Sequence, residues 1–129
     1  MEILVAFCET PIPPQAHPAF HTAKQGALLE FHGTVRDTEA GKPISAIRYE
    51  LYPAMAESEI RRLLREESEG LECAGASVIH RFGIVPAGEA AVYIALSSPH
   101  RQEGLQLLTR FLNRFKQDVP IWKTEVLPC

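Results

Sequence analysis

The sequence lacks any long apolar run, and no stretch approaches the roughly 20 residues that a membrane-spanning helix needs. Its first ten residues, MEILVAFCET, have an acidic second position, no basic region and no small-residue cleavage site, so they are not expected to be a secretion signal. The content of 46% apolar and 22% charged residues excludes the disordered and membrane classes. We therefore expect one domain over residues 1–129, in the cytoplasm and with no membrane partner.

Paired cysteines and metal-binding motifs are also absent. Cys8, Cys73 and Cys129 are odd in number, widely spaced and outside any CxxC or Cys/His cluster, which argues against a disulfide framework and a zinc site. The chain has no GxSxG, HExxH, P-loop or GxGxxG motif, so neither a hydrolase triad nor a nucleotide site is supported. We expect reduced thiols, no metal and no cofactor.

An overall positive charge is missing as well. The net charge of -3 gives no global attraction to nucleic acid, and we expect no nucleic-acid partner. The charge is uneven, because residues 57–72 hold six acids against three arginines, whereas residues 101–129 hold five basic residues against three acids. The C-terminal third is therefore predicted to be locally basic.

Apolar patterning predicts strands and two long helices. Strands are predicted at Met1–Phe7, Gly26–Val35, Ile44–Tyr52, 74–85 and 90–97. Helical spacing of apolar residues predicts one helix from Pro53 to about Glu69, based on Met55, Ile60, Leu63 and Leu64, and a second over Pro99–Lys116, based on Leu105, Leu108, Leu112 and Phe115. The proline-rich TPIPPQAHP is predicted to be a loop, and the tail PIWKTEVLPC fits either a short strand or an extended loop.

The connections between strands are short and contain glycine and proline. RDTEAGKP and PAGE each predict a hairpin between the strands that they join. Strand runs with only two helices favour an α+β domain with a mostly antiparallel sheet over a doubly wound fold.

Two segments at the ends of predicted elements are candidate anion sites. In Gly33-Thr34-Val35-Arg36-Asp37 a strand ends beside a glycine, so backbone N–H groups and Arg36 can bind an anion together; alternatively Arg36 pairs with Asp37 at the surface. In SSPHR, the segment that leads into the second helix, His100 and Arg101 can reinforce the positive end of the helix dipole, or they simply cap the helix and face solvent.

Lys116 and Lys123 are candidate proton donors or nucleophiles. A lysine in a partly apolar setting can have its pKa lowered, and Ile121 and Trp122 could help to supply such a setting. The alternative is two surface lysines at a helix end and on an edge strand. His80 and Arg81 lie within a predicted strand whose alternation sends them to opposite faces, which favours structural roles.

Five ordered motifs resemble the catalytic (large) subunit of molybdopterin synthase. They are FHGTVRD, ELYPAMA, VIHRFGIVPAGE, SSPHR and the K-x6-K of KQDVPIWKTE, and the resemblance covers about residues 26 to 126. It implies an α/β-hammerhead type of α+β fold, and a homodimer flanked by two small ubiquitin-like proteins in a heterotetramer. It also implies that the C-terminal Gly-Gly thiocarboxylate of the small protein donates sulfur to cyclic pyranopterin monophosphate, forming the molybdopterin dithiolene in two rounds.

The resemblance also implies the site residues. Lys116 and Lys123 match the catalytic lysines, with the main proton-transfer or acyl-contacting role assigned to Lys116 and a supporting electrostatic role to Lys123, although the two roles could be exchanged. The positions that match the substrate pocket, besides these two lysines, are Thr34, Val35, Arg36, His100, Arg101, Thr124 and Glu125.

Three features depart from the family pattern. His32 and Pro99 stand where small or neutral residues are more usual, and neither change removes a functional group. The sequence ends four residues after Glu125, whereas many relatives continue, so part of the pocket wall or partner contact is expected to differ. Two other functions stay open on the sequence alone: a non-catalytic module that binds a phosphorylated small molecule, and a structural scaffold subunit.

Overall fold

The computed structural model describes residues 1–129 and alternates short runs of strand with two long helices. In chain order the elements are β1 (Glu2–Cys8), β2 (Ala27–Thr34), β3 (Thr38–Glu39), β4 (Lys42–Leu51), α1 (Pro53–Glu67), β5 (Gly75–Arg81), β6 (Gly83–Pro86), β7 (Ala90–Ser98), α2 (Arg101–Asp118) and β8 (Ile121–Pro128). The predicted α+β class with two main helices is confirmed. Neither helix is long and apolar enough to cross a membrane.

The strands form two sheets. The first has the order β1-β5-β7-β2, and in the second β4 pairs with β8, with β6 and, at its first two residues, with β3. Every pairing is antiparallel except that of β1 with β5, so the mostly antiparallel arrangement is confirmed. The tail is a strand rather than a loop, because β8 pairs with β4 along almost its whole length.

The main core lies between the first sheet and the two helices. Its fully buried side chains include Ile60, Leu63, Leu64, Val78, Ile94, Leu96, Leu107 and Phe111. The predicted apolar faces are partly wrong, because Met55 is 57% exposed and Leu105 is 50% exposed. Tertiary packing rotates α2 so that Gly104 and Leu107 face the sheet; a Cβ at Gly104 would lie 2.7 Å from Leu29 Cδ1, so the close approach requires a glycine there.

The predicted single strand over residues 74–85 is wrong. Gly83 has a φ of +80°, which an L-residue rarely adopts, and the chain changes direction there. β5 stays in the first sheet and β6 joins β4 in the second, where Val85 packs in a smaller core with Val35, Ile44 and Ile47. The mostly apolar run over residues 74–85 does not reveal this change of sheet.

One of the two predicted hairpins is also wrong. The strands on either side of RDTEAGKP do not pair, because β2 pairs with β7 and β4 pairs with β6 and β8. The segment instead forms its own small hairpin of β3 and β4, which turns at Ala40 and Gly41, both with positive φ. The other predicted hairpin partners, β5 and β7, do pair antiparallel, with β6 in the connection between them.

Candidate active site

A cavity of about 750 Å³ lies where the two sheets meet the C-terminal end of α2. Residues from six elements or element ends converge on it, so its shape depends on the whole fold. The lining residues are Phe31, Gly33, Thr34, Arg36, Tyr49, His80, Ala91, Val92, Leu112, Phe115, Lys116, Ile121, Trp122 and Lys123. This volume is within the range of small-molecule sites.

Three cationic side chains line the cavity. Arg36 follows the end of β2, Lys116 is in the last turn of α2, and Lys123 is in β8. Arginine and lysine offer hydrogen-bond donors and no acceptors, so together they favour an anionic ligand. The nearest carboxylate to the Lys123 Nζ is Glu39 Oε2, at 4.0 Å. The cavity therefore has a net positive charge.

The walls between these cations are largely apolar and aromatic. The Tyr49 ring packs edge-on against His80 with 5.4 Å between the ring centroids, and His80 stacks on Phe115 at 5.9 Å. Burial raises the pKa of the Tyr49 phenol, and the neighbouring Glu39 carboxylate raises it further, so the phenol is neutral at neutral pH. Charges at the edge of such a poorly hydrated wall interact more strongly with a ligand than they would in water.

His80 is the cavity residue whose role the sequence did not indicate. It lies in β5 on the same face as the buried Val78, and only 4% of its surface is exposed. Its Nδ1 lies 2.8 Å from the backbone oxygen of Arg81. Because a carbonyl can only accept, Nδ1 carries the proton and donates it. Burial lowers the pKa of His80 to about 4, so the ring is neutral at neutral pH.

The buried imidazole predicts a pH dependence of stability. The unfolded chain binds a proton at His80 below about pH 6.5 and the folded chain only near pH 4, so stability is lost as the pH falls through this window. We expect a loss of about 2 kcal/mol in the free energy of unfolding between about pH 7 and pH 5 from this residue. Urea denaturation at both pH values measures it. His80→Phe should flatten the dependence, whereas His32→Phe, which removes an exposed ring, should not; equal slopes in all three proteins would contradict it.

Close packing of β2 against β7 shapes one wall of the cavity. A Cβ at Gly33 would lie 2.6 Å from Val92 Cγ1 and 3.2 Å from the Phe31 ring, so no larger residue fits without a shift. The pairing of β2 with β7 slips between Gly33 and Thr34, a bulge that directs the next residues away from the sheet. Thr34 and Arg36 reach the cavity beyond this bulge.

Val35 is placed differently from its predicted neighbours. Its side chain is 4% exposed and packs in the smaller core, and its N–H donates to the Glu89 backbone oxygen at 3.0 Å. Neither its side chain nor its N–H therefore faces the cavity, because the side chain packs in the smaller core and the N–H is bonded to Glu89.

His100 and Arg101 lie far from Lys116 of the same chain. His100 is the N-cap of α2 and its side chain is 80% exposed, and Arg101 is the first residue of the helix. Arg101 and Lys116 are 15 positions apart, which corresponds to about 22 Å along a helix. Neither residue lines the cavity.

Thr124 and Glu125 lie beside the cavity rather than in its wall. The pairing of β8 with β4 slips between Arg48 and Tyr49, which leaves Thr124 as the extra residue of a bulge. Beyond the bulge the Glu125 carboxylate accepts a hydrogen bond from Arg48 Nε at 3.0 Å, and the Thr124 hydroxyl donates to the Arg48 backbone oxygen at 3.5 Å. The bulge thus separates Lys123, which lines the cavity, from the two residues that follow it.

A smaller cavity of about 330 Å³ adjoins the larger one. The two share Tyr49 and Trp122, and the smaller is also lined by Arg48, Glu50, Leu51, Tyr52, Phe82 and Gly83. Tyr52 and Trp122 pack edge to face at 5.3 Å and are 63% and 47% exposed. The larger cavity is therefore continuous with an aromatic surface.

The sequence is similar to that of one protein family along most of its length. The family model described as MoaE protein matches residues 7–118. The molybdopterin synthase catalytic subunits of Oryza sativa subsp. indica and Bacillus subtilis (strain 168) are 41% and 43% identical over 101 residues, which is 78% of this chain. These matches span 52% and 64% of the relatives' own lengths, so the chain spans between about half and two thirds of them.

Two solved structures share the fold over nearly the whole chain. Molybdopterin synthase from Staphylococcus aureus is 30% identical with a TM-score of 0.79, covering 98% of this chain and 93% of that one. The molybdopterin biosynthesis MoaE protein from Burkholderia ambifaria MC40-6 is 25% identical with a TM-score of 0.82, covering 97% and 83%. The motif order, the family match and the shared fold agree, and the chain belongs to the MoaE protein family.

Proposed function

We propose that this protein is a sulfurtransferase, the catalytic subunit of a molybdopterin synthase, acting on cyclic pyranopterin monophosphate. The observation that carries the proposal is the convergence of Arg36, Lys116 and Lys123 on one cavity with aromatic walls. The cations suit the phosphate, and the aromatic surface suits a flat heterocycle. Membership of the MoaE family and the likeness to molybdopterin synthase catalytic subunits support it.

Arg36 is the proposed phosphate ligand within the cavity. Its planar guanidinium can donate two parallel hydrogen bonds to phosphate oxygens, which fixes the orientation of the ligand as well as attracting its charge. The neighbouring Thr34 hydroxyl lines the same wall and can donate a further bond.

The two lysines are the proposed catalytic residues. In each round the donor sulfur forms a C–S bond to a substrate carbon while a C–O bond of that carbon breaks and its oxygen leaves with a proton. Water then adds to the acyl carbon and the acyl C–S bond breaks, which leaves the sulfur on the pterin and a carboxylate on the donor. Lys116 would stabilise the negative charge that develops on the acyl oxygen and transfer protons to the leaving group. Lys123, 4.0 Å from Glu39, would add positive charge to the same region.

The sulfur would come from a partner protein. Burial raises the pKa of both Cys8 and Cys73, so these thiols are poorly ionised, and neither lines the cavity. We propose that a small ubiquitin-like subunit delivers sulfur as a C-terminal Gly-Gly thiocarboxylate. The smaller cavity beside Tyr52 and Trp122 offers an aromatic groove through which an extended tail could reach the lysines.

A second copy of the chain would complete the site. His100 and Arg101 match the pterin-phosphate pocket of the family, yet they lie about 22 Å from Lys116 of their own chain. If they contact the same phosphate as Arg36, they must come from a second copy. We therefore propose a homodimer that binds two small subunits, and we place this assembly in the cytoplasm, where free thiols stay reduced.

The test is to mix the purified protein with cyclic pyranopterin monophosphate and the thiocarboxylated small subunit, and to follow the product by mass spectrometry. We expect a product that carries two sulfur atoms and a stoichiometric loss of thiocarboxylate. Binding of both partners without product would instead favour a non-catalytic module for a phosphorylated small molecule.

A further inference from the structure

The cavity that binds the pterin in the proposed function is rich in hydrogen-bond donors and poor in acceptors. Arg36, Lys116 and Lys123 only donate. The side chains of its wall that can accept are the hydroxyls of Thr34 and Tyr49 and the imidazole of His80. A reduced pterin ring carries several N–H groups, and each would lose hydrogen bonds to water on entering the cavity unless an acceptor faced it.

His80 has one ring nitrogen free for this purpose. Because Nδ1 donates to the Arg81 backbone oxygen at 2.8 Å, the neutral ring keeps its lone pair on Nε2. Nε2 has no partner within the chain. The fully buried polar side-chain atoms that lack a hydrogen-bond partner are Gln25 Oε1, Arg81 Nε and Glu103 Oε2. The His80 Nε2 also lacks a partner but is not among these enclosed atoms. It is therefore accessible from the cavity that His80 lines.

The orientation of the ring is fixed on several sides. Phe115 stacks on it with 19° between the ring planes, Tyr49 packs edge-on at 68°, and the Arg81 carbonyl holds the opposite nitrogen. An acceptor held in this way needs no reorganisation when a ligand binds. Neutrality matters too, since a charged imidazolium would be a fourth cation in the cavity and would have no lone pair to accept with.

We propose that His80 is a further substrate-contacting residue, whose Nε2 accepts a hydrogen bond from an N–H group of the pterin ring. The inference rests on the proposed function, and it assigns the ring and the phosphate of the substrate to different parts of the cavity. The phosphate is bound by the cations at the rim, and the ring is oriented by an uncharged acceptor in the aromatic wall.

Three variants and two ligands test this inference. His80→Phe keeps an aromatic ring against Phe115 but removes the acceptor, and His80→Asn can keep the bond to the Arg81 oxygen without reaching the cavity. We expect both to bind cyclic pyranopterin monophosphate about 3- to 10-fold more weakly than the wild type, as measured by calorimetry. His80→Gln, whose amide oxygen can approach the Nε2 position, should recover most of the affinity. The affinity for inorganic phosphate, measured in the same way, should be unchanged in all three variants.

The outcomes separate this inference from the proposed function. A wild type that does not bind the pterin would remove both. Wild-type binding together with unchanged affinity in His80→Phe and His80→Asn would overturn the role of His80 and leave the proposed function intact. Equal losses of pterin and phosphate binding would show a general distortion of the cavity and would also overturn it. If His80→Phe does not fold, the comparison of His80→Asn with His80→Gln decides the question.

Discussion

Replacing Lys116 by alanine is expected to reduce sulfur transfer at least about 100-fold, because it removes the group that we propose to stabilise charge and move protons at the reacting acyl carbon. The side chain of Lys116 is exposed on the last turn of α2, so its loss should change the free energy of unfolding by no more than about 0.5 kcal/mol. Product formation by mass and complex formation by gel filtration measure the two effects separately.

Two matched variants make the Lys116 result specific. Lys24→Ala removes an exposed lysine from the loop before β2 and should keep full activity. Lys123→Ala should lose less activity than Lys116→Ala if its role is to supply supporting positive charge, and the reverse order would exchange the two roles. Retained turnover in both cavity variants would contradict the catalytic assignment.

A mixed dimer is expected to restore activity that neither of its parent variants has. Lys116→Ala and Arg101→Ala each remove one component of the proposed composite site. When the two variants are co-expressed with different tags and purified through both, each heterodimer contains one site with both changes and one intact site. We expect about half of the wild-type activity, because one of its two sites is complete.

The mixed dimer also distinguishes a site shared between two chains from a site formed within one chain. If Arg101 acted with Lys116 of its own chain, every site in the heterodimer would carry one change and activity would stay near that of the parents. The separation of about 22 Å along α2 makes that outcome incompatible with a single compact site. An Arg110→Ala chain paired with Lys116→Ala is the control, since Arg110 is exposed at the middle of α2, where its guanidinium donates to the Glu67 backbone oxygen.

Much of the fold could be predicted because it depends on local patterns. The bounds of α1 follow from Pro53 and from the apolar spacing of Ile60, Leu63 and Leu64, which are buried as expected. The predicted bounds of α2, Pro99–Lys116, agree with the observed Arg101–Asp118 to within about two residues at each end. The break at Gly83 could not be predicted, since an apolar run shows where a chain is buried and not which of two sheets it joins.

The candidate site was only partly accessible from the sequence. Glycine and basic residues at the ends of elements pointed to Arg36 and the two lysines, and the structure brings these three together. His80 resembled a core residue, because strand alternation places it on the face of Val78. His80 is the last inward-facing histidine before the chain changes direction at Gly83, and this position is the signal that could have indicated a cavity wall. The separation of His100 from Lys116 could be predicted from the length of α2. The sequence alone does not indicate that a second copy of the chain would bring the two residues into one site.

A crystal structure of the protein with cyclic pyranopterin monophosphate tests the central claim most directly. We predict the ligand in the cavity between Arg36 and Lys116, with its phosphate within hydrogen-bond distance of the Arg36 guanidinium and of His100 and Arg101 from a second copy. The pterin ring should lie against Tyr49 and His80. A ligand bound elsewhere, or an empty cavity at saturating ligand, would contradict the account.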